Sequence, residues 1–191
     1  MKKIECATVS IAAVMMFLAM VSHATAQYLP EQIFIETDGY VIAEAEAVDH
    51  YEGFRLTTSP KGYTGEGYLN YSGTSRGSGD FDCSGDQQPP RDELLIFRLY
   101  ISNPGPYVIN ARVYHTQQDG DNDAFIHMLD YPINHHFCAK RIGDKENMGH
   151  FAWMSFGHRI FYLKRGMNNV YLGGRSRNFG IDRVAFFLHQ V

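Results

Sequence analysis

Two glutamates stand close together in the stretch Val41–Phe54, which reads VIAEAEAVDHYEGF. Successive side chains of a β-strand point to opposite faces, so Glu44 and Glu46 are predicted on one face, their bases roughly 6–7 Å apart. Two like charges placed in this way repel unless a cation lies between them or water screens them. The pair could therefore bind a metal ion, act as two catalytic carboxylates, or belong to a solvated surface.

Catalysis is the least favoured of these three roles. Retaining glycosidases hold two carboxyl groups about 5–5.5 Å apart, and inverting enzymes hold them farther apart. Glu44 and Glu46 could approach the shorter distance, but both come from one strand face and no neighbouring segment predicts a long substrate cleft. The sequence also contains no G-x-S-x-G turn and no phosphate-binding loop, which argues against nucleophilic and nucleotide chemistry.

The elements that must position these residues are predicted to be short strands. Runs rich in Val, Ile, Tyr and Phe alternate with clusters of Gly, Pro, Asn and Asp, and amphipathic segments of helix length are hard to find. The spacing predicts an all-β sandwich. We expect 159–163 and 169–172 to form a hairpin with Gly166 in its turn. The predicted strands are 33–35, 40–48, 67–71, 94–101, 107–114, 124–129, 159–163, 169–172 and 181–188.

The first residues have the pattern of a secretory signal peptide. Lys2 and Lys3 precede an apolar run, 11–21, that is too short to span a bilayer and is followed by a small-residue cleavage pattern ending at Ala26. We therefore expect residues 1–26 to be removed and 27–191 to form one domain that is secreted, periplasmic or at the cell surface.

Two cysteines follow the predicted cleavage point, Cys83 and Cys138. In an exported protein an even pair predicts a disulfide, and two free buried thiols are the alternative. The formal net charge of −4 and the lack of a basic stripe argue against nucleic acid as a partner.

Two further groups of polar residues are not predicted to bind metal. The run Asp119–Asp123 resembles the start of a calcium loop but lacks the distal glutamate, so a structural turn is favoured. Adjacent His135 and His136 would point in opposite directions from an extended segment, and no zinc-site spacing is present.

A series of short motifs, in order along the chain, resembles the carbohydrate-binding modules of families 6 and 35. No single motif is specific, and their common order carries the resemblance. The motifs are A-E-A-E at 43–46, G-Y-T-G-E-G-Y-L at 62–69, P-G-P-Y at 104–107, G-D-N-D-A-F at 120–125, W-M-S-F at 153–156, L-K-R-G-M-N at 163–168 and G-I-D-R-V at 180–184.

The resemblance implies a jelly-roll, galactose-binding-like β-sandwich with one structural calcium ion. The positions that match the calcium ligands of these families are Glu44, Glu46 and Asp182. Calcium takes six to eight oxygen ligands, and backbone carbonyls can complete such a set. The alternative is that the two glutamates are solvated on an edge strand.

The resemblance also implies a sugar site in the loops. Trp153 matches the aromatic platform of the families, where an indole stacks on the flat C–H face of a sugar. A tryptophan in the core is the alternative. The second aromatic residue is Tyr51, Phe54 or Tyr63, and the sequence does not choose among them.

Polar partners of the sugar are expected near the last strand. Asn178 lies four residues before Asp182, whereas the families place their asparagine nearer two residues before, at Gly180 here. Arg175 and Arg177 could donate paired hydrogen bonds to hydroxyls or to the carboxylate of an acidic sugar.

The function that these patterns favour is non-catalytic carbohydrate binding by a secreted, calcium-containing module. Two other classes of function stay open. One is a small lyase or glycoside hydrolase that uses acids, His127, His150 or Tyr63. The other is an adhesion or structural subunit that recognises protein.

Overall fold

The structure is a computed structural model of the chain, and some predicted features fall outside the part that it describes. The predicted leader, 1–26, and Cys83 lie outside, and only the backbone of Cys138 is described, so the cleavage and the disulfide stay predictions. The described residues are 32–48, 51–75, 93–117, 122–128, 138–141, 145–156 and 160–189.

The described residues form twelve strands and two short 3₁₀ turns. None of the helical segments in these ranges is long and apolar enough to cross a membrane. The 3₁₀ turns are Ala45–Ala47 and Lys145–Asn147. The strands are β1 (Ile33–Ile35), β2 (Tyr40–Glu44), β3 (Phe54–Thr57), β4 (Tyr68–Tyr71), β5 (Leu94–Ile101), β6 (Gly105–Tyr114), β7 (Asp123–Met128), β8 (Cys138–Arg141), β9 (Ala152–Ser155), β10 (Phe161–Leu163), β11 (Gly166–Gly174) and β12 (Gly180–Leu188).

The strands form two sheets, as the predicted sandwich requires. The first sheet has the order β1-β5-β11-β7-β8, and only β1 is parallel to its neighbour. The second sheet has the order β10-β6-β12-β4-β3, with β2 also paired to β12 and β9 also paired to β6. Strand β12 therefore lies inside the second sheet, with β6 along one edge and β4 and β2 along the other.

The core lies between the two sheets and follows the alternation of the strands. On β6, Tyr107, Ile109, Ala111 and Val113 are buried, and the residues between them face outward, as the sequence predicts. Phe97 of the first sheet meets Phe186 of the second with ring centroids 6.3 Å apart. Burying a side chain of this size contributes about 1.5–3 kcal/mol, so these inward residues hold the sheets together.

The predicted strand 40–48 is too long. Strand β2 ends at Glu44, and Ala45–Ala47 form a 3₁₀ turn. Glu44 and Glu46 therefore do not share a strand face, because Glu46 lies in the turn. Ala45 is fully buried, so the turn packs against the core. Glu44 therefore projects from the end of β2, and Glu46 projects from the 3₁₀ turn.

The predicted hairpin around Gly166 is wrong. Strand β10 pairs with β6 in the second sheet, whereas β11 pairs with β5 and β7 in the first. Gly166 does make the expected sharp turn, with φ of +89°, but the turn carries the chain from one sheet to the other. The predicted loop around Trp153 is instead strand β9, which pairs with β6.

Candidate functional site

One row of cross-strand neighbours joins the predicted metal residues to the predicted sugar residue. Glu44 on β2 lies opposite Arg183 on β12, Arg183 lies opposite Arg112 on β6, and Arg112 lies opposite Trp153 on β9. Directly opposed residues have Cβ atoms about 4.5–5.5 Å apart. On the outer face of the second sheet, this row has an acidic end at Glu44 on β2 and an aromatic end at Trp153 on β9. Strands β12 and β6 lie between them.

The acidic end contains the three predicted calcium ligands. Thr64 joins two of them, because its hydroxyl is 2.8 Å from Glu44 Oε2 and its backbone N–H donates to Asp182 Oδ1 at 2.9 Å. Asp182 is fully buried and also forms an ion pair with Arg112. Glu44 accepts a hydrogen bond of 2.6 Å from Nε of Arg183. Two of the three carboxylates are therefore balanced by guanidinium groups.

Glu46 is the third carboxylate, and it differs from the other two. Its Oε1 accepts the backbone N–H of Glu66 at 2.9 Å, and its Oε2 is buried without a hydrogen-bond partner among the described residues. Burial raises the pKa of Glu46 above its ordinary value, against backbone hydrogen bonds that lower it, and the charge of Glu44 raises it further. The cluster of three carboxylates and two arginines carries one uncompensated negative charge when all are ionised.

The oxygen ligands of this cluster fit the chemistry of a calcium ion, although Arg112 and Arg183 already pair with two of its carboxylates. Carboxylate oxygens are the ligands that calcium prefers, and Glu46 Oε2 is one such oxygen in a buried position. The loop glycine Gly65 leaves room for the carboxylate, since a Cβ on residue 65 would overlap Glu46 Oε1 and lie 3.5 Å from Glu44 Cδ. Within the described residues, no three Asp, Glu, His or Cys side chains are already grouped as a metal site.

The aromatic end is a cluster of four rings on the same outer face. Tyr68 lies at the centre, with ring centroids 5.0 Å from Phe151, 5.8 Å from Tyr114 and 6.3 Å from Tyr63. Tyr63 comes from the loop before β4 and meets Phe151 edge-on at 6.5 Å. Lys61 Nζ lies 5.0 Å from the centroid of the Tyr63 ring. Tyr68 itself is buried, so the partly exposed rings of Tyr63, Tyr114 and Phe151 form the accessible part of the cluster, with the cation of Lys61 at its edge.

Trp153 is exposed and lies two residues after Phe151, a member of this cluster, and directly opposite Arg112. On β9, Trp153 and Ser155 face outward while Met154 packs against the core. The indole has 45 % of its surface accessible, so the structure places Trp153 on the surface and not in the core. An exposed indole beside a cluster of other rings offers the flat, electron-rich face that stacking on a sugar requires.

The other predicted ligand residues divide into two groups. Asn178 and Arg177 are exposed in the turn between β11 and β12; the carbonyl of Asn178 accepts a hydrogen bond of 2.8 Å from the side chain of Asn70. Asn178 itself has φ of +71°. Since Asn70 lies opposite Gly180, which lies opposite Tyr114, this turn is at the same end of the sheet as the ring cluster.

Arg175 and Tyr51 are not presented to a ligand in this way. Arg175 is 4 % exposed and forms a buried ion pair with Asp123, which joins the end of β11 to the start of β7. Asp123, predicted as part of a turn, thus opens a strand. Tyr51 packs against the core. Of the three aromatic candidates, Phe54 is buried, and Tyr63 contacts Phe151, which lies two residues before Trp153.

Several residues of the site, including Thr64, Arg112 and Phe151, are not among the site residues predicted from the sequence. Thr64 lies inside the G-Y-T-G-E-G-Y-L motif, and Phe151 lies two residues before Trp153. Arg112 had the clearest signal, because it is a charged residue at an outward position of a strand that otherwise alternates apolar and polar residues. The contacts of these residues could not be predicted from local sequence, because they join distant positions. Arg112 and Asp182, for example, are 70 positions apart.

The residues of the hydrolase or lyase alternative are placed as follows. Glu44 and Glu46 both contact the loop 64–66. His150 is exposed and its Nδ1 lies 3.2 Å from the carbonyl of Met148. The backbone of His127 pairs with Tyr171 across β7 and β11, and its side chain is outside the described part.

Comparison with solved structures identifies the architecture. A family 35 carbohydrate-binding module from Clostridium thermocellum superposes with a TM-score of 0.53 at 16 % identity, covering 78 % of this chain and 98 % of that one. The C-terminal CBM6 of LamC from Zobellia galactanivorans gives a TM-score of 0.51 at 10 % identity, covering 78 % and 98 %. The chain has the fold of family 6 and family 35 modules.

The same module fold occurs as part of longer chains. The GH26-CBM35 β-(1,4)-mannanase of Podospora anserina matches with a TM-score of 0.57 at 18 % identity over 81 % of this chain. This chain spans under a third of that mannanase, 29 % of its length. The sequence matches no protein-family model and no curated protein. At these identities the likeness concerns the fold alone, and a fold does not determine a function.

Proposed function

We propose that this chain is a non-catalytic carbohydrate-binding module that holds a poly- or oligosaccharide against Trp153. The observation that carries the proposal is the exposed indole beside the ring cluster, in a chain with the fold of carbohydrate-binding modules. A sugar ring stacked on Trp153 would bury apolar C–H groups, and the edge of the Tyr63–Phe151 pair would extend the contact. At the same end of the sheet, the Asn178 amide would donate or accept hydrogen bonds and the Arg177 guanidinium would donate them.

The polar rim of this surface suits hydroxyl-rich ligands. Lys61 Nζ donates to the Tyr63 hydroxyl at 2.7 Å, so the phenol can still donate its own O–H to a ligand. Binding would need little rearrangement, because the ring cluster is already packed. A site of this kind gives modest affinity per sugar ring and selects ligands through the position of a few hydroxyls.

A structural calcium ion held by Glu44, Glu46 and Asp182 is part of the proposal. Glu46 would contribute its buried Oε2, and the ion would offset the negative charge that Arg112 and Arg183 leave uncompensated. Its role would be to join β2 to β12 and to the loop 64–66. The proposal also includes export through the predicted leader and a disulfide between Cys83 and Cys138.

The proposal is tested by comparing two exposed aromatic residues. Trp153 and Tyr100 have nearly equal exposure, 45 % and 46 %, but Tyr100 lies on the outer face of the other sheet. Wild type, Trp153→Ala and Tyr100→Ala are applied to a glycan array with calcium present, and hits are measured by titration calorimetry. We expect Trp153→Ala to lose binding at least about tenfold and Tyr100→Ala to keep it.

Two results would contradict this function. The first is that wild type binds no glycan on the array. The second is that the two variants retain equal affinity, which would remove Trp153 from the site. Release of product from a polysaccharide, lost on substitution of one acid or histidine, would favour the lyase or hydrolase alternative.

A further inference from the structure

Arg112 makes contacts in three directions at the boundary between the acidic and the aromatic ends. One Nη atom forms the ion pair with Asp182, and the other donates to the carbonyl of Gly62 at 2.7 Å. The guanidinium carbon lies 5.1 Å from the centroid of the Phe151 ring. Arg112 is also the cross-strand neighbour of Trp153.

Each of these contacts constrains a part of the aromatic surface. The bond to Gly62 holds the loop residue directly before Tyr63. The guanidinium over Phe151 holds a ring that precedes Trp153 by two residues and meets Tyr63 edge-on. Because Asp182 is fully buried and also bonded to Thr64, it gives Arg112 a rigid anchor on β12. The side chain of Arg112 is itself mostly buried, with 20 % accessible.

We infer that Arg112 is the positioning residue of the ligand surface: it sets the distance between Tyr63 and Trp153 by fixing the loop and Phe151 to the buried Asp182. The inference rests on the proposed function, because it concerns the same aromatic surface. Arg112 is not required to touch the ligand. It transmits the position of the buried Asp182, and not that of Glu44, to the rings on which a sugar would stack.

The chemistry of arginine suits this role and that of lysine does not. A planar guanidinium can donate in two directions in one plane while its face stacks on an aromatic ring. A lysine ammonium is a compact charge on a flexible stem, and it could keep the ion pair with Asp182 but not the bond to Gly62 and the stacked face together. Arg112→Lys therefore separates charge from positioning.

Arg183 provides a matched control within the same row. It lies directly opposite Arg112, and like Arg112 it pairs with one carboxylate of the cluster, Glu44. Arg183 contacts Glu44 at the acidic end, whereas Arg112 also contacts Gly62 and Phe151. Loss of Arg183 therefore disturbs the acidic cluster without removing a contact to the rings.

The experiment uses Trp153 as its own reporter, since the chain contains one tryptophan. The purified protein and its variants Arg112→Met, Arg112→Lys and Arg183→Met are compared by tryptophan emission, acrylamide quenching, unfolding temperature and affinity for the glycan found on the array. Methionine keeps the apolar stem and removes the charge. Emission and quenching need no ligand, so they test the position of Trp153 independently of sugar binding.

We expect Arg112→Met and Arg112→Lys to shift the emission of Trp153, to increase its quenching and to weaken glycan affinity about tenfold. Arg183→Met is expected to lower the unfolding temperature while leaving emission and affinity as in wild type. Unchanged emission in Arg112→Met, or an equal change in Arg183→Met, would overturn the inference. If wild type binds no glycan, the proposed function fails, and the emission comparison still decides the role of Arg112.

Discussion

The carboxylate of Glu46 lies over Gly65, at the point where a side chain on residue 65 would begin. Gly65 has φ of +62°, a left-handed conformation that glycine adopts without cost. The next residue, Glu66, donates its N–H to the same carboxylate oxygen at 2.9 Å. The loop and the 3₁₀ turn of Glu46 are therefore fitted to each other, and two separate constraints act on residue 65.

Gly65→Ala should destabilise the protein more than an alanine at another left-handed glycine. Gly166 has φ of +89° and open space where its Cβ would lie, so Gly166→Ala costs the backbone strain alone, about 1–2 kcal/mol. Gly65→Ala adds the displacement of Glu46, about a further 1–3 kcal/mol. Urea unfolding of the two variants measures the difference. Equal losses of stability would show that Glu46 does not lie over Gly65.

Calcium should stabilise the protein through Glu46. An ion that binds only the folded state adds about 2.7 kcal/mol at a concentration of 100 times its Kd, and so raises the unfolding temperature by several degrees. Glu46→Gln removes the charge at the buried Oε2 position and should abolish most of this gain. Thermal unfolding with calcium and with a chelator measures it for wild type and variant.

The control for this calcium prediction is Glu66→Gln. Glu66 is an exposed carboxylate next to the site that contributes its backbone N–H to Glu46, and the amide substitution leaves that N–H in place. This variant should keep the full response to calcium. A wild-type unfolding temperature that does not respond to calcium would remove the ion from the proposal.

The strands could be predicted where a segment is bounded by turn residues and where one face is buried. Strand β5 is found at the predicted residues, and β6 alternates as predicted, because local pattern and burial agree there. Strand β2 was predicted too long, since Ala45–Ala47 has a pattern compatible with a strand. In the 3₁₀ turn, Glu46 accepts a hydrogen bond from Glu66, 20 residues away, and a contact of this kind cannot be predicted from local sequence.

The residue types of the site could be predicted from the sequence, but most of the contacts between these residues could not. Glu44 and Asp182, predicted as calcium ligands, lie on the paired strands β2 and β12, and both bond to the Thr64 hydroxyl. The burial of Arg175 was not foreseen, because it follows from an ion pair with Asp123 in another strand. Contacts between residues so far apart in sequence depend on the order of the strands in the sheets. The hairpin predicted around Gly166 pairs β10 with β11, whereas these strands lie in different sheets.

A buried carboxylate far from the site should make stability depend on pH. Glu36 is 4 % exposed and accepts the N–H groups of Gly39 at 2.5 Å and of Ser102 and Asn103 at 2.9 Å, and the Asn103 amide at 2.8 Å. Burial raises the pKa of Glu36, but the hydrogen bonds from Asn103, Gly39 and Ser102 outweigh it, so the pKa falls below the ordinary 4.5.

Glu36→Gln should therefore lower the free energy of unfolding at pH 7 by about 2–3 kcal/mol, because an amide accepts these bonds more weakly and adds an unmatched donor. A lowered pKa means that the carboxylate stabilises the fold above pH 4.5 and loses this effect as the pH falls through the lowered value. The gap between wild type and variant should narrow in acid. Asp38→Asn, an exposed carboxylate of the same turn, is the control and should show no such gap in urea unfolding at several pH values.

A buried phenol gives the corresponding prediction in alkali. Tyr107 is fully buried, and its hydroxyl donates to the carbonyl of Asn103 at 2.8 Å. Burial, with a smaller contribution from the charge of Glu36, raises the pKa of Tyr107 to about 12. A raised pKa means that this group stabilises the fold fully below its ordinary value of 10 and that the stabilisation is lost as the pH rises through about 12.

Tyr107→Phe should then lose about 1 kcal/mol at neutral pH, the net value of one hydrogen bond, and should be less sensitive to alkali than wild type. The measurement is the phenolate absorbance of folded protein during a pH titration, together with urea unfolding at pH 7 and pH 11. Wild type should show a late step from Tyr107 that is missing in the variant. Tyr100→Phe, in which an exposed tyrosine of the other sheet is changed, is the control and should retain the late step.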